Sequence, residues 1–188
     1  WGKTTEGIVS QKDGSSTVKE QLDVVNTIGL IAEVTSQWKA NWQSQTGIEF
    51  YYDYVKSEAY ATDITTEVIT EQRGSFADES TSENLAFFSN HVVDWKKFQV
   101  MTGARFNVVK VSVRDTTFGD QRITPSALVG NVGFTYKFHP HHHVIVSANS
   151  GFRAPNVDDM SKFGAVESTV FEIPSANLSP ERSFSVEA

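Results

Sequence analysis

The chain has 188 residues, a formal net charge of −7 and no cysteine. Its lysines and arginines are scattered, which argues against the clustered basic face of a nucleic-acid binder. The missing cysteines exclude a disulfide framework or a thiolate metal site. No apolar run approaches the ~18 residues of a membrane helix, although a barrel strand needs only ~10 alternating residues and escapes that criterion.

Trp1 to Thr17 is polar and rich in Gly and Ser, and reads as a loop. From Val18 the pattern alternates, with Leu22, Val24, Ile28, Leu30, Ala32 and Val34 on one face and Gln21, Asp23, Thr27 and Glu33 on the other. That period of two predicts a strand, not a helix. A short link, Gln37 to Asn41, leads into a second strand with Ile48, Phe50, Tyr52 and Tyr54 opposite Glu49, Tyr51 and Asp53. Lys56 shares the apolar parity near the outer end, where a charge costs least. Thr62 to Asn84 is polar and acidic and reads as a long loop.

A third strand is expected from Leu85 to Trp95, a tight turn at Lys96-Lys97, and a fourth strand from Phe98 to Val113. The apolar parity changes near Val109 and Val111, which predicts a bulge. Arg114 to Ser126 reads as another loop. The fifth strand places Leu128, Val132, Phe134, Tyr136 and Phe138 on one face. His139-Pro140-His141-His142 makes the next turn, and the sixth strand carries Val144, Val146, Ala148 and Phe152 outward with Asn149 and Arg153 inward. Pro155 ends strand pairing because it lacks an N–H, and a seventh strand begins near Arg182, after Pro180.

The connections thus alternate short and long, so every short turn falls at one end of an antiparallel sheet. Transmembrane barrels have that asymmetry. Trp38, Trp42, Trp95, Phe98 and Phe138 gather at the short-turn end, where aromatic rings suit a membrane interface. The expected fold is all-β: about seven long strands of a larger antiparallel transmembrane barrel. The alternative is a non-transporting surface barrel or soluble ligand-binding sandwich with those side chains in its core. The chain opens at Trp1 with no signal peptide and stops inside a strand, so it is expected to be a piece of a longer protein. Its two cut edges then need pairing by other strands.

No activated-nucleophile setting occurs, and no enzyme is expected. The histidines 139 and 141–143 invite a metal, but consecutive strand residues point to opposite faces, so a wet turn is expected and no metal. Asp158-Asp159 reads as a ligand contact, a metal or acid–base pair, or two solvated carboxylates. Arg153 reads as a contact for substrate or as a loop-anchoring ion pair, with Glu181 as its candidate partner.

Phe152-Arg153-Ala154-Pro155, followed by Asn177-Leu178-Ser179-Pro180-Glu181, resembles the paired "FRAP…NPxLxPE" region of TonB-dependent outer-membrane receptors. The extension Asn156 to Met160 is similar to receptors of Bacteroidetes-type bacteria. The resemblance implies a 22-stranded-type barrel closed by a plug, driven through TonB and seated in outer-membrane lipid. It implies uptake of a siderophore, cobalamin, saccharide or similar ligand. Residues 1–188 would be a partial barrel domain without the plug or TonB box, with Arg153, Asp158 and Asp159 as candidate ligand or plug contacts. Haem receptors of the family place a histidine between the motif halves; residues 156–176 contain none, and no cofactor is expected.

Overall fold

The computed structural model describes residues 1–165, 171–175 and 177–188. The strands are β1 (Gly2–Gln11), β2 (Thr17–Lys39), β3 (Trp42–Asp63), β4 (Ile69–Arg73), β5 (Ser80–Trp95), β6 (Phe98–Val113), β7 (Gln121–Ile123), β8 (Ser126–His139), β9 (His142–Arg153), β10 (Gly164–Ala165), β11 (Phe171–Glu172) and β12 (Glu181–Glu187); one short helix, α1, spans Val157–Ser161. Eight strands form one antiparallel sheet in the order β1-β2-β3-β5-β6-β8-β9-β12, with β4 added to β3 and β7 to β6. Among the described residues the sheet is open, with β1 and β12 as its margins and no described strand pairing their outer edges.

Two-residue turns at Ala40-Asn41, Lys96-Lys97 and Pro140-His141 all lie at one end, here called lower. The upper connections are longer. Several loops expected from polarity contain strand. Trp1 to Thr17 holds β1, whose side chains are all exposed but whose backbone pairs with the upper half of β2. Within Thr62 to Asn84, β3 runs on to Asp63, β4 folds back along it, and β5 starts at Ser80. The return is set by the Asp63 carboxylate, which accepts from the Thr65 and Thr66 amides at 2.8 and 3.1 Å. Backbone pairing to a long neighbour formed these segments, so side-chain alternation gave no sign of them.

Register rows fix the faces. Leu30, Phe50, Leu85 and Val108 lie side by side, and Ala32, Ile48, Phe87, Phe106 and Leu128 make the next row. Leu30, Phe87 and Leu128 are 65, 51 and 67% exposed, so among the described residues no second layer covers this face. That removes the soluble sandwich, in which these side chains would fill a core. From Phe98 to Val108, ten steps of about 3.4 Å on a strand tilted about 40° give an apolar band on the order of 25 Å tall, the thickness a barrel presents to lipid.

The other face is polar at the same height. Arg105 donates to Glu49 at 2.6 Å and to Asn107 at 2.6 Å, and Gln45 donates to Glu33 at 3.0 Å. Above the band the two faces exchange character. Outside, Lys56 pairs with Glu58 at 2.9 Å and Lys110 with Glu83 at 2.6 Å. Inside, Val55, Val109, Val111 and Val113 are buried in one cluster with Ala77, Val157 and Met160. The parity change near Val109 is therefore no bulge: the β5–β6 register runs unbroken from Thr81–Ser112 to Trp95–Phe98. It marks the height at which the strands leave the apolar layer, where the outer face meets water and the inner face meets the loops. The register shifts that do occur lie next to two lower turns, at Gln37/Lys39 and Lys137/His139.

Gly47 sits where a side chain could not. A Cβ there would come within 2.6 Å of the Phe88 ring and 2.7 Å of the Ala32 carbonyl oxygen. The ring can swing but the backbone oxygen cannot. Gly47→Ala is expected to cost about 1–3 kcal/mol by overpacking. Phe88→Ala in the same chain should restore only part of that in urea titrations of the micelle-inserted protein.

Candidate functional site

Both halves of the motif loop close over the upper cluster. Phe152 and Ala154 from the first half and Leu178 from the second pack against it. Phe152 therefore turns inward, not outward as alternation along β9 suggests. Pro155 is buried, Asn177 is exposed and Pro180 is half-buried. Arg153 lies half-exposed at the foot of the loop, donating to Glu181 at 2.9 Å and to both oxygens of Asp159 at 2.8 and 3.0 Å. Asp159 is also the third residue of α1 in a reciprocal cap, with its amide donating to Asn156 at 2.8 Å and its carboxylate accepting from the Asn156 amide at 3.0 Å. Asp158 stays exposed, 3.8 Å from Lys162. Met160 is fully buried and fills the apolar cluster.

A second cluster, with no mark in the sequence reading, joins three upper loops. The Arg73 guanidinium pairs with Asp115 through Nε at 3.1 Å and through Nη2, and also donates to the carbonyls of Gly74 (2.8 Å) and Ser161 (2.7 Å). Its planar end lies 5.6 Å from the Phe118 ring and 5.3 Å from the Phe163 ring. Arg73 ends β4 in the connection between β3 and β5, Asp115 and Phe118 follow β6, and Ser161 and Phe163 belong to the motif loop. The local signal that could have found Asp115 is its Asx turn, in which it accepts from the Thr117 and Phe118 amides at 2.8 and 3.0 Å. Asp63-Ile-Thr-Thr forms the same device.

Burial pushes the Asp115 carboxyl up, but the Arg73 guanidinium and the Phe118 and Thr117 amides outweigh it and hold it below the ordinary carboxylate range. A carboxylate depressed in the folded state adds stability above its unfolded value and loses it as pH falls through the folded one. Protection of the loop clasp is therefore expected to hold down to about pH 4 and to fail only below it. Limited proteolysis between residues 114 and 123 across that range reads this out. In Asp115→Asn the protection should be weaker and should no longer depend on pH there.

Below the motif loop the inner wall forms a recess of about 330 Å³ lined by Tyr51, Asp53, Asn84, Asn107 and Phe152, among others. At the lower end, Trp38, Trp95, Phe98 and Phe138 are exposed, and Trp42 is half-buried. The Trp38 and Trp42 rings pack at a tilt of 30° with centroids 5.7 Å apart, and their indole N–H groups donate to Ser44 (2.7 Å) and His91 (3.3 Å). The histidine turn holds His139 with His141 and His142 at ring distances of 5.6 and 5.2 Å. Among the described residues no three His, Asp or Glu side chains converge as metal ligands.

An apolar outer band, a polar inner wall, short lower turns and an upper cap of loops define a segment of a transmembrane antiparallel β-barrel. The chain belongs to the TonB dependent receptor-like β-barrel family, whose sequence profile matches residues 3–188. Its fold is similar to the copper transporter OprC, with 12% identity and a TM-score of 0.72 over 84% of this chain and 26% of that one. It is also similar to the ferric citrate transporter FecA in the unliganded form, with 13% identity and a TM-score of 0.55 over 80% of this chain and 23% of that one. The chain thus spans about a quarter of the length of those two structures. No curated protein matches it.

Proposed function

We propose that this chain is part of the barrel wall of an outer-membrane receptor that imports a small nutrient with energy delivered through TonB. The observation that carries the reading is the exchange of faces at the upper edge of the apolar band. It leaves a lipid-compatible exterior, a polar interior and an anchored cap of loops at one end only. Further strands of the same receptor pair the β1 and β12 margins, and a plug fills the polar inner wall around Glu49 and Arg105. TonB acts through a region outside these residues. The upper loops face outward, with Arg153, Asp158 and Asp159 near ligand or plug. Phe152, Pro155, Asn177, Leu178, Pro180 and Glu181 anchor the longest loop, while Trp38, Trp42, Trp95, Phe98 and Phe138 mark the periplasmic interface. The two structural relatives differ in their named cargo, and at this identity neither selects one for this chain.

The test is made in cells carrying the complete receptor. The protein should fractionate with outer membranes, and a tag between Thr66 and Val68, in the exposed return after β3, should be accessible from outside. Growth on a sole nutrient should require both the receptor and TonB. Recovery of the protein in the soluble fraction, or growth indifferent to TonB, would sink the reading.

A further inference from the structure

We propose that the recess beneath the motif loop binds a neutral, hydroxyl-rich ligand, a saccharide, and not an anionic metal chelate; this rests on the receptor reading above. The first ground is charge. No lysine or arginine is among the residues that line the recess, and the two guanidiniums next to lining residues are already committed: Arg105, which donates to Asn107, pairs with Glu49 at 2.6 Å, and Arg153, between Phe152 and Ala154 in the chain, pairs with Asp159 and Glu181 at 2.8 and 2.9 Å. The recess itself contributes the Asp53 carboxylate. An anionic ligand would meet this carboxylate and would have to break an ion pair beyond the lining to find a cation, which is unfavourable in a partly desolvated site.

The second ground is the hydrogen-bonding groups that remain. Asp53 uses one oxygen to accept from Thr27 at 2.6 Å, which leaves the other as an acceptor. Asn84 accepts from Asn107 through its carbonyl at 3.3 Å, which leaves its NH₂ as a double donor. Asp53 and Asn84 are diagonal neighbours, since Tyr51 pairs with Asn84 and Asp53 with Ser82. An acceptor and a donor set at this spacing on one wall match adjacent hydroxyls, each of which both donates and accepts.

The third ground is an aromatic platform. The Tyr51 ring lies against Gly29, with Cε1 only 2.7 Å from where a Cβ would stand. The absence of a side chain at Gly29 leaves room for an edge of the Tyr51 ring against the wall, and the ring lines the recess. Phe152 adds a second ring. Flat aromatic faces beside a few placed polar groups are how a pocket holds a ligand that is apolar on its ring faces and polar at its edge.

Binding is measured on the purified full-length receptor in detergent, which needs neither TonB nor transport. A failure here therefore leaves the receptor reading standing, and a failure of that reading shows in the cellular test. The probes are neutral gluco-, galacto-, manno-, xylo- and fructo-oligosaccharides, set against ferric citrate, a ferric hydroxamate and a ferric catecholate. Saturable binding of one saccharide is expected, weakened about tenfold or more by Asn84→Ala and by Tyr51→Leu. As a measurement independent of those variants, maleimide labelling of Ser82→Cys should be slowed by the same saccharide; this chain has no cysteine of its own. Saturable binding of a ferric chelate, no binding of any saccharide, or binding that neither replacement weakens overturns the proposal.

Discussion

Replacing Arg73 with alanine is expected to release all three upper loops at once, at a cost of about 3 kcal/mol or more. Asp115 is 2% exposed and Arg73 18% exposed at the side chain, so removing the guanidinium strands a buried carboxylate. Loss of one partner of a buried pair typically costs about 3–5 kcal/mol, mostly for the charge left behind. The Gly74 and Ser161 carbonyls lose their donor in the same step. Hydrogen exchange should rise together in residues 74–78, 114–123 and 157–163, while the strands of the apolar band stay protected. The paired replacement Arg73→Met with Asp115→Leu should be milder than either single change, because no unpaired charge remains. If exchange rises only next to residue 73, the three loops are not held by this clasp.

Ala104→Arg is expected to be the most damaging small change in the wall. Ala104 faces outward in the row of Thr46, Ser89 and Gly130, six residues above the lower end of β6 and so near the middle of the band. An arginine at mid-depth on a lipid face costs about 2–4 kcal/mol, and the cost falls toward the interfaces. Gln45→Arg is the matching control, since position 45 faces inward beside Glu33. Urea titration of the full receptor in vesicles should show a large loss for the first variant and little for the second. A larger loss for Gln45→Arg would mean that the two faces are assigned the wrong way round, and equal losses that neither face is the lipid face at this height.

The long strands were legible because alternation survives wherever one face meets lipid and the other meets polar groups. Ile48, Phe50, Tyr52 and Tyr54 are the plainest instance. Legibility ended where that contrast ended. Above the band the apolar residues Val109, Val111 and Val113 occupy the inner face that carries Arg105 and Asn107 below, and a pattern that reads as a bulge is an unbroken strand passing from one solvent to another. β1 and β4 were missed for a related reason: they are held by backbone pairing with no buried stripe of their own. Within the candidate site, Arg153 and Glu181 could be paired on paper because both flank one loop. Arg73, Asp115 and Ser161 lie 42 and 88 residues apart along the chain, and no local pattern links them.

By itself, the order of residues settled the sheet, its polarity of short and long connections, and the family, since these depend on period, punctuation and short motifs carried along the backbone. Only the folded arrangement decided which loops share a clasp, that Phe152 turns into the upper cluster, and which hydrogen-bonding groups remain open above the inner wall. Those outcomes depend on contacts between distant segments. Such contacts form only after the strands have found their register and brought the loops to a common end.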